Sequence, residues 1–208
     1  MKTAGIFIAI TLVAFIGIYF MTRSDTQKVA EEANFLTPTP TPSPIINTPT
    51  PVPTVPENDR ITANSAVIKT AKGNIEVELY ASEAAKTVMN FATLSKRGYY
   101  NNLTFHRVEN WVIQGGDPNG DGSGGVSIYG AVFEDEIDPN NPRYQAGYVE
   151  GTLAMANRGP NTNGSQFFIM KTQTPLQPVY TIFGKVTKGL EVVQGITPGT
   201  KINTIEVK

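Results

Sequence analysis

A proline-rich tract at residues 37–56, TPTPTPSPIINTPTPVPTVP, limits where this chain can build a folded domain. Proline fixes φ and removes a backbone donor, so a tract this rich in proline forms neither helix nor sheet. At about 3.1 Å per residue, an extended spacer of this length spans up to roughly 60 Å. We therefore predict a polar and Thr/Pro-rich, disordered linker at residues 23–60 and a domain at residues 61–208. The alternatives for the tract are a ligand for proline-binding modules or a substrate for the domain that follows.

The N-terminal segment is apolar over residues 4–22, where no charged residue occurs. At about 1.5 Å per residue, such a helix crosses most of a hydrocarbon core of about 30 Å. A cleaved signal peptide is the alternative, but residues 18–21 are bulky where a cleavage site needs small residues. We predict an uncleaved membrane anchor, a transmembrane helix at residues 1–22, rather than a signal peptide or a buried core helix.

The orientation of this anchor follows from its type rather than from charge. Lys2 precedes the span, whereas Arg23 and Lys28 follow it, so the positive-inside comparison is close to a tie. A short N-terminal tail before a single span usually stays inside the cell. The expected location is the cell membrane, single-pass, with the domain on the extracytoplasmic side.

Composition excludes several classes of function. The net charge of −1 and the pI near 5.9 provide no broad basic field for nucleic acid. The chain has no cysteine and one histidine, so it lacks most of the side chains that metal sites and nucleophilic catalysis use. No cofactor and no metal site are implied.

After the proline tract, short apolar runs alternate with turn residues. Residues 66–70 and 75–80 flank Lys72-Gly73-Asn74 as a hairpin, and Ser82 can cap a helix that begins at Glu83. Further predicted strands are residues 104–108, 111–114, 151–156, 166–170, 181–186 and 201–207, and a second short helix is predicted at residues 189–196. Many short strands with few helices favour a mostly β, closed barrel, because closure removes exposed strand edges.

Three motifs carry a resemblance to a known family. They are FHR at residues 105–107, WVIQGGD at residues 111–117 and NRGPNTNGSQFFI at residues 157–169. Together they resemble cyclophilin-type peptidyl-prolyl cis-trans isomerases over about residues 67–207. The resemblance implies a closed, eight-stranded antiparallel barrel capped by two helices.

The resemblance also implies a catalytic residue. Rotation of an X-Pro amide crosses a barrier of about 18–20 kcal/mol, and no bond has to break. A site that prefers the twisted amide lowers this barrier. Arg107 matches the arginine of the family motif, and its planar guanidinium holds charge and donors in fixed positions.

The remaining site residues are implied in the same way. The resemblance assigns substrate contacts to His106, Trp111, Val112, Gln114, Ala156, Asn157, Gln166, Phe168, Leu176 and Tyr180. Phe167 and Phe168 are adjacent, so in a strand one can fill the barrel while the other lines the groove. His106 is expected to be structural, with a minor role beside Arg107 as the alternative, because amide rotation needs no obligatory proton transfer.

Residues 120–125 satisfy GxGxxG, and the same loop imitates the start of a calcium loop. No strand-turn-helix pattern surrounds the glycines, which argues against dinucleotide binding. Ile128 stands where an EF-hand requires glutamate. The loop is instead expected to border the groove, as a similar stretch does in the family.

The chain departs from the family pattern at three places. The connection from Arg107 to Trp111 is one residue shorter than usual, which is expected to reshape the rim of the pocket. Pro175 stands where cyclosporin-sensitive members have tryptophan, so weak cyclosporin binding is expected. Tyr180 replaces a histidine of many eukaryotic members and points toward bacterial relatives.

These observations predict a membrane-anchored isomerase that acts on X-Pro bonds in exported or membrane-proximal polypeptides and assists their folding. One alternative is a catalytically weak, proline-peptide-binding or scaffold module tethered to the membrane. Another is an isomerase that faces the cytoplasm. The expected partners are proline-containing polypeptides and the membrane, without nucleic acid, and a monomer is expected.

Overall fold

The computed structural model describes residues 54–208, so the predicted span at residues 1–22 and most of the predicted linker at residues 23–60 lie outside the described residues. No helix within residues 54–208 is both long and apolar enough to cross a membrane. The described strands are β1 (Ser65–Thr70), β2 (Gly73–Leu79), β3 (Arg107–Val108), β4 (Val112–Gly115), β5 (Thr152–Met155), β6 (Phe167–Met170), β7 (Ile182–Lys188) and β8 (Ile202–Val207). The α-helices of this range are α1 (Ala85–Lys96), α2 (Pro142–Ala146) and α3 (Leu190–Gly195).

The strands form one antiparallel, eight-stranded sheet in the order β3-β4-β6-β5-β7-β2-β1-β8. The mostly β fold and the predicted β1–β2 hairpin are confirmed, with Val67 paired to Glu76. The sheet curls into a half-barrel whose end strands are β3 and β8. The prediction of a closed barrel is therefore corrected.

The reason for the incomplete closure lies in the residues that precede β3. Asn102 has a φ of 66°, a left-handed conformation that cannot continue a regular strand. Four backbone hydrogen bonds join this irregular segment to the region of β8, among them Asn102 N–H to Ile202 O at 2.8 Å and Phe105 N–H to Thr200 O at 2.9 Å. Of the predicted strand at residues 104–108, Thr104 forms an isolated antiparallel bridge with Lys201, and Arg107 and Val108 alone pair with β4.

The helices differ from the prediction at two points. Helix α1 begins at Ala85 rather than at Glu83, and no side-chain cap from Ser82 is formed. Instead, the carboxylate of Glu136 accepts hydrogen bonds from the N–H groups of Lys86 at 3.0 Å and Thr87 at 2.8 Å. A distant loop therefore satisfies the first free donors of the helix.

Helix α2 was not predicted, so residues 54–208 contain three α-helices where two were expected. Its sequence carries a recognisable start, because the Asn141 side chain accepts a hydrogen bond from Arg143 N–H at 2.9 Å and Pro142 occupies the first turn. The following Gly147 has a φ of 72°, which ends the helix.

Residues at the end of the predicted linker contact the domain. The N–H of Val55 donates to Ile128 O at 2.8 Å, and the Val55 side chain is buried. The Arg60 guanidinium lies 4.8 Å from the centroid of the Tyr129 ring. The chain is therefore attached to the domain surface before β1 begins.

Strand β6 separates two apolar clusters. Phe167 is fully buried in the main core, with its ring 5.5 Å from Phe91 and 5.6 Å from Tyr100. Phe168 points to the opposite face and joins a second cluster with Tyr148 and other apolar residues. The predicted division between these two phenylalanines is confirmed.

We expect Phe167→Ala to lower the free energy of unfolding by about 3–5 kcal/mol, because it leaves a cavity among several aromatic rings. Guanidinium chloride unfolding followed by circular dichroism measures this change. The matched control is Val179→Ala, since Val179 is 46% exposed and its truncation should change stability by less than about 0.5 kcal/mol. Equal stability of the two variants would contradict the central position of Phe167.

Candidate functional site

The predicted site residues surround one groove with a volume of about 420 Å³. The groove is lined by His106, Arg107, Trp111, Val112, Gln114, Gly120, Asp121, Gly122, Ala156, Asn157, Phe168, Leu176 and Tyr180. Gln166 is the one predicted site residue absent from this lining, and it lies behind the wall. Four separate stretches of the sequence therefore meet at a single concave surface.

Arg107 lies at one wall of the groove, on β3 and opposite Gln114 of β4. Its Nε donates to Glu109 Oε1 at 2.7 Å, and its Nη1 donates to Gln114 Oε1 at 3.2 Å. The guanidinium also lies 5.2 Å from the centroid of the Trp111 ring. Within residues 54–208, Nη2 has no such hydrogen bond, so both of its N–H groups, together with the second N–H of Nη1, are left for a ligand.

A chain of side-chain amides continues from Arg107 across the groove. Gln114 Nε2 donates to Gln166 Oε1 at 2.9 Å. Gln166 Nε2 in turn donates to the carbonyl oxygens of Gly122 at 3.0 Å and Gly124 at 2.8 Å. Gln166 therefore connects the arginine wall to the glycine loop, which explains its position behind the lining.

The glycine loop at residues 117–125 is folded around one buried carboxylate. Asp117 is 1% exposed and accepts hydrogen bonds from the N–H groups of Asn119 at 3.0 Å, Asp121 at 3.1 Å and Gly122 at 2.6 Å. A Cβ at Gly124 would lie 2.3 Å from Asp117 Oδ1, so this position requires glycine. Both oxygens of Asp117 are thus used in shaping the loop.

The other end of the groove is apolar. Val112 and Phe168 are buried beneath it, and Trp111, Leu176 and Tyr180 pack around them. The rings of Phe168 and Tyr180 meet edge to face, with centroids 5.4 Å apart. This end of the groove is therefore a preformed slot of aromatic and aliphatic side chains, which suits a small apolar ring.

A buried tyrosine and an asparagine hold the Tyr180 side of the groove. The Tyr148 hydroxyl donates to Tyr180 O at 2.9 Å and accepts from Tyr180 N–H at 3.0 Å. The side-chain amide of Asn157 donates to Val179 O at 2.8 Å and to Asp135 Oδ1 at 3.3 Å. Asn157 Nδ2 is therefore engaged with its own domain.

His106 lines the groove, yet neither of its ring nitrogens has a hydrogen-bond partner among the described residues. Burial lowers its pKa from the ordinary value of 6.5, while the nearby charges of Asp117 and Asp121 oppose that shift. The ring is therefore mainly neutral at pH 7. This state suits a structural role better than that of a charged catalyst.

Two residues of the site were not predicted from the sequence. Arg158 donates from its guanidinium to the carbonyl oxygens of Gly122, at 3.2 Å, and Ser123. Glu109 accepts hydrogen bonds from both Arg107 and Trp111. The spacing of Arg107 and Glu109, two residues apart in an extended segment, was the signal that could have indicated a shared face.

A family model described as "Cyclophilin type peptidyl-prolyl cis-trans isomerase/CLD" matches residues 65–207. The chain belongs to the cyclophilin-type peptidyl-prolyl cis-trans isomerase family, and the predicted resemblance is confirmed.

Named relatives agree with this family. The chain is 54% identical over 134 residues to "Peptidyl-prolyl cis-trans isomerase-like 1" of Aspergillus fumigatus, covering 64% of this chain and 81% of the relative. A crystal structure of a Cryptosporidium parvum cyclophilin-type isomerase is 40% identical with a TM-score of 0.59, covering 70% of this chain and 94% of that chain. A second structure of that isomerase, in the presence of the dipeptide Ala-Pro, is 41% identical with a TM-score of 0.58 and covers 69% and 95%.

These relatives are eukaryotic. The prediction that Tyr180 points toward bacterial relatives therefore gains no support from them. Nor do their names mention a membrane anchor.

We expect His106 to make stability depend on pH. Because its pKa is lowered in the folded state, the stabilisation is present above the unfolded value of about 6.5 and is lost as pH falls through the folded pKa. The free energy of unfolding of the wild type should therefore drop from pH 7 to pH 5 more than that of His106→Gln. This comparison is clean because the chain has one histidine. Parallel pH profiles for the two proteins would show that burial does not shift His106.

Proposed function

We propose that this chain accelerates rotation about X-Pro bonds in exported or membrane-proximal polypeptides, with Arg107 as the catalytic residue. The observation that carries the proposal is the position of the Arg107 guanidinium at the wall of a groove whose other end is apolar. Membership of the isomerase family supplies the class of reaction.

The reaction needs stabilisation of a twisted amide. Resonance holds the X-Pro bond planar with a barrier of about 18–20 kcal/mol, so uncatalysed exchange takes roughly tens to hundreds of seconds. In the twisted state the nitrogen becomes pyramidal and basic, because the C–N bond loses its partial double-bond character. A donor that meets this state more strongly than the planar amide lowers the barrier.

Arg107 supplies such a donor with its orientation already set. Its Nε and Nη1 are bound to Glu109 and Gln114, and Nη2 remains for the substrate. Gln114 is in turn held by Gln166, so little reorganisation is needed when the amide twists. Proton transfer is not part of this step, which agrees with a neutral His106.

The groove also supplies binding. We assign the slot formed by Trp111, Val112, Phe168, Leu176 and Tyr180 to the proline ring. Gln114, Ala156, Asn157 and Gln166 are assigned to the polypeptide backbone on either side of the proline, and His106 to the edge of the site. The related Cryptosporidium parvum isomerase was crystallised in the presence of Ala-Pro, a dipeptide of the chemistry expected here.

A second candidate function is a proline-peptide-binding or scaffold module with little turnover. The observation that favours it is the short connection after Arg107, because the Glu109 carboxylate lies 2.7 Å from Arg107 Nε and offsets part of its charge. Binding of proline peptides without any acceleration of their isomerisation by the wild type would favour this module over the enzyme.

We expect Arg107→Ala to lower kcat/KM by about 10²-fold, the usual cost of removing a preorganised donor to a developing charge. A protease-coupled assay with a proline peptide, using the full-length chain in detergent, measures it. Arg97→Ala is the matched control, because Arg97 forms an exposed ion pair with Asp59 at 3.4 Å. Equal rates for wild type and Arg107→Ala would remove the catalytic assignment.

We further propose that residues 1–22 anchor the chain in the cell membrane, with the isomerase domain on the extracytoplasmic side and residues 23–60 as spacer. An uncharged segment at residues 4–22 supports the anchor, and the density of proline at residues 37–56 supports the spacer. A cytoplasm-facing domain on the same anchor is the competing arrangement. Weak cyclosporin binding, argued from Pro175, and a monomeric state stay predictions.

Added protease should distinguish these arrangements in intact cells. If the domain is extracytoplasmic, protease added outside should remove the full-length band, with cleavage first in the proline-rich spacer. A cytoplasmic marker protein should stay intact in the same sample. Retention of the full-length band until the membrane is permeabilised would place the domain inside, and recovery of the chain without residues 1–22 would identify a cleaved signal peptide.

A further inference from the structure

The hairpin between β3 and β4 places three polar or aromatic side chains together. Arg107 pairs with Gln114 and Val108 with Ile113, and Glu109 N–H donates to Val112 O at 2.9 Å. Asn110 and Trp111 therefore form the whole loop. Side chains alternate along an extended chain, so Arg107 and Glu109 lie on the same face of the hairpin.

The Glu109 carboxylate bridges the two groove residues that flank it. Its Oε1 accepts from Arg107 Nε at 2.7 Å, and its Oε2 accepts from Trp111 Nε1 at 2.7 Å. The guanidinium carbon of Arg107 lies 5.2 Å from the centroid of the Trp111 ring, within the range of a cation–π contact. The three side chains thus form a closed triangle, which we name the Glu109 clamp.

We infer that Glu109 is a positioning residue, which holds the Arg107 guanidinium and the Trp111 indole in one arrangement so that Arg107 Nη2 faces the substrate. The inference rests on the proposed catalytic role of Arg107. It gives the shortened connection a function, because the tight loop brings the carboxylate within reach of both partners.

Two effects of the carboxylate oppose each other. Fixing the guanidinium favours catalysis, whereas partial neutralisation of its charge disfavours it. The side chains of Arg107 and Glu109 are 45% and 43% exposed, so water screens their Coulomb interaction. Screening does not weaken the geometric constraint of two hydrogen bonds, and positioning is therefore the larger effect.

The carboxylate is charged under the conditions of the reaction. The hydrogen bond from Arg107 lowers the Glu109 pKa below its ordinary value of 4.5, and the hydrogen bond from Trp111 acts in the same direction. The clamp is consequently formed throughout the neutral range of pH.

Three substitutions at Glu109 in the full-length chain separate positioning from charge. Glu109→Ala removes both hydrogen bonds, Glu109→Asp keeps the charge but shortens the reach by about 1.5 Å, and Glu109→Gln keeps the reach without the charge. If Glu109 positions Arg107, Ala and Asp should lower kcat about three- to fivefold with little change in KM, and Gln should lie between them and the wild type. The control Glu206→Ala breaks an exposed ion pair with Lys69 and should leave kcat unchanged.

Trp111 provides a readout that does not depend on turnover, because it is the only tryptophan in the chain. Its fluorescence anisotropy should decay faster in Glu109→Ala and Glu109→Asp, where the indole loses its hydrogen bond, and should be unchanged in Glu206→Ala.

Other outcomes would overturn the inference. Faster turnover in both Glu109→Ala and Glu109→Gln, with Glu109→Asp like the wild type, would show that charge neutralisation dominates. Unchanged kcat and unchanged Trp111 anisotropy in Glu109→Ala would show that Glu109 positions neither Arg107 nor Trp111. Failure of the proposed function is distinguishable, because Arg107→Ala would then match the wild type in rate whatever the anisotropy of Trp111.

Discussion

The opposite orientation of Phe167 and Phe168 on β6 is the constraint on which the rest of the structure depends. Phe167 packs edge to face against Phe91, Tyr100 and Phe105 in the main core. Its neighbour Phe168 forms the floor of the groove with Tyr180. Because one short strand serves both clusters, the floor of the groove is held by the same strand that packs into the core. An apolar ligand therefore meets a preformed slot and does not have to organise it.

Polar groups of the groove depend on this floor through a continuous set of hydrogen bonds. Gln166 precedes Phe167 in the chain, and its side chain connects Gln114 at 2.9 Å to the glycine loop at 2.8 Å and 3.0 Å. Gln114 then contacts Arg107 at 3.2 Å. Glu109 completes the support of Arg107 from the opposite side. Loop, amides and guanidinium thus form a single framework, and an arginine on a strand of only two residues keeps a defined direction.

Most strands could be predicted from the sequence because their periodicity and turn residues are local features. Residues 75–80, for example, alternate apolar and acidic side chains, and residues 75–79 of this run lie in β2 with the predicted partner. The errors fall where distant residues decide local structure. Glu136 caps α1 in place of Ser82, and the predicted strand at residues 104–108 divides between a bridge from Thr104 to Lys201 and a two-residue pairing with β4. The start of α2 is also a local feature, because Asn141 is a capping residue and Pro142 follows it in the first turn.

By itself the sequence determined the chemical inventory of this protein and its family. It contains an uncharged N-terminal segment, a proline-rich tract, no cysteine, one histidine and one tryptophan. Residue types and spacing are enough for these conclusions, since each depends on neighbours in the chain. Only the tertiary structure decided how the side chains meet: that the sheet is a half-barrel, that Gln166 stands behind the groove wall, and that Glu109 joins Arg107 to Trp111. Hydrogen bonds between residues far apart in sequence, and the direction of side chains at a tight loop, depend on the folded backbone and have no local pattern that reveals them.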